Sequence, residues 1–451
     1  MSEVASPLKI VYYTTWFSTI KFAEDLKFGR DCPIPEGYTI NYTESDKSTW
    51  CTFTSSQKDI ENAAGLMFHA VDAVSTPKPQ HRKNQPWVLE SLETPFSSLF
   101  RANAYQMQDY QYLASYHFKS AFLFSYFSPA IMELANRPLP KEFMRTKSKA
   151  APILWIAKNC HATNARQKYI EKLMQYIDVH SYGACLNNQP FPKDKSRTDL
   201  LREYKFYLAM ENSNCGDYVT EKLYDTFMMS AVPILDGPAS YDGYIPNNRS
   251  VIYADAYPDP KDLADYINYL DQNDTAYMEY FSFRQHALDV APKDRLDSSF
   301  ISNWSDPSLH LERSNYCSVC RGLLPWWSYR SNPANKDEYV DKNKNTFLLT
   351  DDTCSSPGKW NYLSEGPPYH PSWEPRPRDE FTRPTTFRFN TTAALPSSTI
   401  TISPKSTNLV ESPVFMANVA FIAFFFVFVT TLLKVSSKHS SSAYTQVPTP
   451  V

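Results

Sequence analysis

The chain has 451 residues, 42% of them hydrophobic, with 45 basic against 48 acidic side chains and a formal net charge of -3. That length holds two or three domains with real cores, and the absence of a basic excess excludes a phosphate-backbone footprint and with it a nucleic-acid partner. With only 10 glycines, and neither a dinucleotide-binding glycine fingerprint nor a P-loop, a diphosphate ligand would have to be held by side chains and helix ends.

The residues before Leu8 carry neither the basic region nor the apolar stretch of a signal peptide. Residues 8–13, LKIVYY, read as a buried strand, and 38–43, 65–70, 87–92 and 121–126 are further strand-like runs separated by polar or helical connectors. Together they predict a Rossmann-like domain over residues 1–147. The run at 87–92 leads into Glu93, which stands two residues before Pro95, with Glu90 inside the run. The domain closes on a basic, proline-bearing connector, Arg137 to Pro140 followed by Arg145, Lys147 and Lys149.

A second Rossmann-like domain is predicted over 148–330. It opens with a strand at 153–157, a polar loop, a helix at 164–176 and a strand at 179–182, and Arg166 falls in the first turn of the helix. Residues 204–237 then give the clearest strand, loop, helix and strand succession in the chain. The strand at 204–210 delivers Glu211 and Asn212 to its C-terminal edge; Asp217 or Thr220 serves as helix cap; the helix runs to about Ser230; and 232–235 is a strand closed by Asp236, Gly237 and Pro238. Such units build parallel sheets. Tyr218, Glu221, Lys222 and Asp225 share one side at helical spacing, while Val219, Leu223 and Phe227 share the other. Arg166 and Lys222 are both first-turn cations, where the helix dipole disfavours them by about 0.3 to 1 kcal/mol unless an anion joins them. A helix N-terminus with a lysine is a phosphate site. A strand at 250–254 and helices at 259–270 and 274–283 complete the domain.

Residues 331–381 form a polar extension, 382–413 a Ser/Thr/Pro-rich stalk, 414–434 a transmembrane helix and 435–451 a cytosolic tail. Twenty apolar-dominated residues from Val414 make a helix of about 30 Å, which spans a bilayer, and Lys434 and Lys438 beyond it orient the tail to the cytosol. A lone CxxC, Cys317 and Cys320, lacks the second pair that a zinc site wants, so disulfides are expected among Cys32, Cys51, Cys185, Cys215, Cys317 and Cys320, with Cys185 and Cys215 able to fasten the loop before the central helix. Sequons at Asn41, Asn248, Asn273, Asn303 and Asn390 join the cysteines in suiting a secretory compartment.

Residues 211–238, ENSNCGDYVTEKLYDTFMMSAVPILDGP, resemble the nucleotide-sugar motif of the α1,3-fucosyltransferase family: a Glu-Asn pair, a spacer, Asp-Tyr, a β-branched residue and Thr-Glu-Lys. Residues 158–173 resemble the family stretch whose arginine, here Arg166, grips the diphosphate, and 87–95 the segment whose glutamate, here Glu93, is assigned as catalytic base. The likeness runs from about Leu8 to Cys320 and is strongest from about Ala150. It implies an α/β GT-B fold, two Rossmann-like domains with a cleft between them, and inverting transfer of L-fucose from GDP-β-L-fucose. The donor would be held by Arg166, Asn212, Tyr218, Glu221 and Lys222. No cofactor or metal would be required, Mn2+ being at most stimulatory, and the CxxC would be tied back to the first domain through Cys32 and Cys51. The stretch at 68–74 departs from the His-rich acceptor motif of blood-group members. The expected acceptor is therefore an N-glycan core or related glycoprotein (α1,3 linkage), with protein O-fucosylation, or a silent membrane-tethered binding module on the same fold, as alternatives. The expected setting is a Golgi or ER membrane with the catalytic part luminal.

Overall fold

Two parallel-rich sheets make up the described part of the protein, an α/β arrangement consistent with GT-B. The computed structural model describes residues 2–4, 6–17, 26–29, 31–41, 49–82, 84–147, 150–285, 287–307, 315–332, 354–365 and 376. These belong to one compact unit, Met1–Arg383. The stalk, the span at 414–434, the tail and Asn390 lie outside the described residues. Among the described residues no helix is long and apolar enough to cross a membrane.

The first sheet has seven described strands in the order β3-β5-β2-β6-β7-β8-β9: β2 Leu8–Tyr12, β3 Lys27–Phe28, β5 Cys51–Thr54, β6 Gly65–His69, β7 Trp87–Ser91, β8 Tyr112–Ser115 and β9 Phe122–Leu123. All pair in parallel except β3 with β5. The expected strand at 38–43 is a correction: β4, Tyr38–Ile40, pairs instead with β1, Ser2–Val4, in a separate two-stranded sheet. Cys51–Thr54 and Tyr112–Ser115 escaped the sequence reading. Both are held by neighbours distant in sequence rather than by a pattern of their own.

The second sheet runs β11-β10-β12-β13-β14, all parallel: β10 Ile153–Ile156, β11 Val179–Tyr182, β12 Phe206–Met210, β13 Val232–Asp236 and β14 Ile252–Tyr253. Its strands are almost wholly buried, as expected of a sheet covered on both faces. The order reverses between β10 and β12, and ligands of open α/β sheets bind outside the carboxyl ends of strands at such a switch point. The loop after β10 leads to the helix Arg166–Leu173, and Glu211 and Asn212 follow β12 directly.

The helix Asn315–Ser331, within the predicted second domain, returns to the first sheet. Val319, Leu323 and Leu324 are buried in its core with Ile10, Phe53 and Met67. A Cβ on Gly65 would meet Leu323 Cδ1 at 2.7 Å and the Pro86 carbonyl oxygen at 2.9 Å, so only glycine admits this helix. Two disulfides fix it, Cys32–Cys317 and Cys51–Cys320, as the resemblance implied. The pairing of Cys185 with Cys215 is corrected: Cys185 joins Cys160 and Cys215 joins Cys354, so that all eight cysteines are paired. The basic connector also anchors on the second sheet, where Lys147 Nζ donates to the carbonyls of Arg202, Tyr204 and Ser230.

Candidate active site

The carboxyl ends of the two sheets meet. Glu93, two residues beyond β7, accepts a hydrogen bond on Oε2 from the hydroxyl of Tyr218 at 3.2 Å. Around this contact Thr94 Oγ1 lies 3.3 Å from Ser213 Oγ, the Tyr116 and Tyr218 rings pack with centroids 4.8 Å apart, and Asp217 accepts from the Phe118 amide at 3.0 Å while facing His117 Nδ1 at 3.1 Å. The Glu93 loop is held from its own side by Ser91 Oγ, which donates to the Glu93 carbonyl, and by Tyr126, whose hydroxyl donates to the Leu92 carbonyl.

Thr220 caps the helix Glu221–Met228. Asp217 does not; it has a positive φ of 59° in the preceding loop and serves the contact with the first sheet. Tyr218 is likewise not on the helix but in that loop, where it is buried. The first-turn position of Lys222 holds, but the anion that relieves it is part of the chain. Glu211, 1% exposed, accepts from the Thr220 amide at 2.9 Å, from Thr220 Oγ1 at 2.8 Å and from Lys222 Nζ at 2.9 Å. Glu211 thus supplies an internal carboxylate at this helix N-terminus, a partner for Lys222 that the sequence reading did not name. Lys222 Nζ also lies 3.4 Å from Glu221 Oε1.

Arg166 is the first residue of its helix, after Ala165 in a left-handed conformation. Far from being a surface cation it is buried, donating to the Met210 carbonyl, and its Nε has no partner among the described residues. The Asn212 side-chain oxygen is likewise buried without a described partner. These are two buried polar atoms at the switch point without a described partner, where buried polar groups are rarely unpaired.

The charges in this cluster move one another. Burial pushes the Glu93 carboxyl up, the positive charge of Lys222 and the Tyr218 hydrogen bond pull it partly back, and the net direction is upward. Burial works against the Lys222 ammonium, but Glu211 and Glu221 outweigh it and raise its pKa. Glu221 is penalised by burial yet held low by Lys222 and Arg197. Glu93 thus becomes a stronger base than a solvated carboxylate beside a firmly charged lysine.

Residues 146–330 match the model of glycosyltransferase family 10 (fucosyltransferase), C-terminal part. The match covers this segment alone, about two fifths of the chain. Among its relatives are GDP-fucose protein O-fucosyltransferase 3 of Xenopus tropicalis, 28% identical over 295 residues covering 60% of this chain and 61% of that one, and of Gallus gallus, 30% identical over 296 residues covering 59% and 61%. Alpha-(1,3)-fucosyltransferase B of Drosophila melanogaster is 28% identical over 306 residues, covering 61% of this chain and 67% of that one. The chain thus spans about three fifths of the length of the first two relatives. A crystal structure of an alpha1,3-fucosyltransferase with GDP-fucose superposes with a TM-score of 0.43 at 17% identity, over 76% of this chain and 95% of the other.

Several polar residues around the switch point had no sequence signal. Asn164 donates from Nδ2 to the Glu211 carbonyl at 2.9 Å and accepts on Oδ1 from the Arg166 amide at 3.1 Å, tying the two halves of the switch point together. Arg197, on the unpredicted helix Arg197–Glu203, pairs with Asp225 on the exposed side of the central helix. A sequon count did not rank the sequons: Asn41 and Asn248 are exposed, whereas Asn273 caps a helix by accepting from the Ala276 amide and Asn303 is partly buried against Gly243.

Proposed function

We propose that the protein transfers L-fucose from GDP-β-L-fucose to an acceptor hydroxyl with inversion at the anomeric carbon. The observation that carries this reading is the approach of Glu93 to Tyr218 and to the charge of Lys222 across the meeting edges of the two sheets, in a chain whose residues 146–330 match the fucosyltransferase family model. In this mechanism the Glu93 carboxylate takes the acceptor proton as the hydroxyl oxygen attacks the anomeric carbon, and the bond from that carbon to the β-phosphate oxygen breaks with its electron pair leaving on GDP. General-base help of this kind is worth about 10² to 10⁴-fold. Lys222 and Arg166 neutralise the charge that develops on the departing diphosphate. Glu221 and the unpaired Asn212 oxygen accept from ribose hydroxyls, and Tyr218 holds Glu93 in line. With two cations in that role no metal is required.

The names of the vertebrate relatives favour a protein hydroxyl as acceptor, which we take as a serine or threonine of a folded domain; the Drosophila relative's name favours an α1,3 linkage, which we take as one to an N-glycan core or related glycoprotein, as the second reading. The eight paired cysteines suit the oxidising lumen of the ER or Golgi, with the segment 414–434 as the anchor. The test is transfer from labelled GDP-fucose to folded protein domains, glycopeptides and free glycans, in the presence and absence of a chelator. Wild type is expected to label one class with or without the chelator, and Glu93→Gln to lose at least about 10²-fold while still binding GDP. No turnover with any acceptor class refutes the enzyme reading; full activity in Glu93→Gln refutes only the base.

A further inference from the structure

The family 10 match ends at residue 330, yet residues 354–365 are built into the second sheet's carboxyl edge. We infer that this segment is a working part of the donor site, in which Lys359 and Trp360 are positioning residues that set the two donor loops through Asp236. The inference rests on the reading of the cleft as a GDP-fucose site.

Asp236 ends β13 and is 2% exposed. Its carboxylate receives four donors. Lys359 Nζ at 2.5 Å and Asn214 Nδ2 at 3.0 Å reach Oδ1; Trp360 Nε1 at 2.7 Å and Asn164 Nδ2 at 3.3 Å reach Oδ2. Two of the four therefore come from the segment, including the only cation among them, and a buried carboxylate stripped of its cation is strongly unfavourable. The other two are the asparagines of the donor loops. Asn164 leads into Arg166, whose amide it accepts, and also donates to the Glu211 carbonyl; Asn214 donates to the Gly237 carbonyl and precedes Cys215 in the loop that carries Tyr218.

The main chain of the segment follows the same two loops. The Ser355 amide donates to the Asn214 carbonyl at 2.7 Å, the Gly358 amide to Thr163 at 2.8 Å and the Trp360 amide to Asn164 at 3.1 Å. Cys354 is bonded to Cys215, and the Trp360 ring, fully buried, lies with its centroid 4.3 Å from that of Tyr169 on the Arg166 helix. These contacts fall on residues within a few positions of Arg166, Asn212 or Tyr218, or on Asp236, which links them; beside them Lys359 Nζ reaches Asp255 Oδ2 at 3.3 Å and the Tyr362 hydroxyl donates to the Pro258 carbonyl at 2.7 Å. A segment that only covered the sheet would not converge on those loops. Its removal leaves the Arg166 loop and the Tyr218 loop each free to shift, so the consequence falls on the donor rather than the acceptor.

The experiment uses the full chain and two substitutions. Lys359→Ala is expected to raise the Kd for GDP and the KM for GDP-fucose about tenfold, the loss of one charge-assisted hydrogen bond in the network. Trp360→Phe, which keeps the ring against Tyr169 and removes only the indole N–H, is expected to move both in the same direction by less. The acceptor KM stays unchanged in both, and Lys359→Arg recovers most of the donor affinity. GDP binding is read by calorimetry, kinetics by transfer, and folding by thermal midpoint. Folded Lys359→Ala that binds GDP as tightly as wild type overturns the inference, as do donor and acceptor constants that worsen together in proportion to the midpoint. If Lys359→Ala does not fold, Trp360→Phe decides by the same criteria. Wild type that binds neither GDP nor GDP-fucose refutes the functional reading beneath it, whereas tight wild-type binding with unaffected variants refutes this inference alone.

Discussion

Glu90 and Glu93 lie on the same strand end and have opposite roles, and Glu90→Gln separates them. Glu90 is buried in the first sheet, accepting from the Tyr12 hydroxyl at 2.5 Å and from the Tyr316 hydroxyl at 3.1 Å, the latter on the disulfide-anchored helix. Burial lifts its carboxyl from 4.5 to about 7, against the two tyrosine hydrogen bonds that pull it down. A carboxyl whose folded pKa exceeds its unfolded one costs nothing below the unfolded value. The cost grows as pH rises from 4.5 to about 7 and is constant above. At about 1.4 kcal/mol per pH unit, ionised Glu90 costs the folded chain about 3 kcal/mol above neutrality. The neutral amide that Glu90→Gln introduces satisfies the same tyrosines without a charge. Urea unfolding should therefore show Glu90→Gln close to wild type at about pH 4.5 and more stable by up to about 3 kcal/mol at about pH 8, with fucosyl transfer retained. A variant less stable than wild type at the higher pH would refute the argument from burial, and loss of transfer with stability intact would make Glu90 the base.

Lys222→Ala removes the positive charge that lowers the Glu93 carboxyl. With Glu93 as the proposed ionised base, activity falls as pH drops through its pKa, and the acid limb of kcat against pH should move to higher pH in this variant; an unmoved limb would disconnect the two residues. Cys51→Ser with Cys320→Ser opens one of the two bridges that tie the helix Asn315–Ser331 to the first sheet, and should cost about 2 to 5 kcal/mol in denaturant unfolding; a cost below about 1 kcal/mol, on the order of a surface substitution, would show the helix docked by packing alone. Glycosidase treatment should shift wild type but shift Asn248→Gln by one glycan less, because Asn248 is exposed, whereas Asn273→Gln should leave the pattern unchanged, because Asn273 is spent on a helix cap.

Much of the second sheet was legible in order. Its strands are short apolar runs, and the helices that start after Thr220 and Asp259 begin at recognisable caps, so β11 falls at its predicted bounds and β12 and β13 within two residues of theirs. The first sheet was less legible because β5 and β8 draw their stability from neighbours rather than from pattern. The cleft was half legible. Glu93, Tyr218, Glu221 and Lys222 were named from motif, yet the sequence treated Lys222 as an unbalanced cation because it had no means of knowing that the Glu211 carboxylate turns back onto the same helix end. Arg166 was legible only as a first-turn cation, and the fold buries it against the Met210 carbonyl.

What the sequence by itself determined is local. The alternation of apolar runs and capped helices sets two parallel sheets, and the Glu-Asn to Thr-Glu-Lys string sets the chemistry at the edge of one of them. What only the tertiary structure decided is which distant groups share a low-dielectric space. Glu93 with Tyr218, Glu211 with Lys222, Cys215 with Cys354 and Asp236 with Lys359 are each joined across 11 to 139 residues. Pairing a buried charge is worth far more inside a protein than in water, so these contacts carry the site. Sequence spacing holds no trace of them, because the partners are brought together by the crossing of strands and not by the chain between.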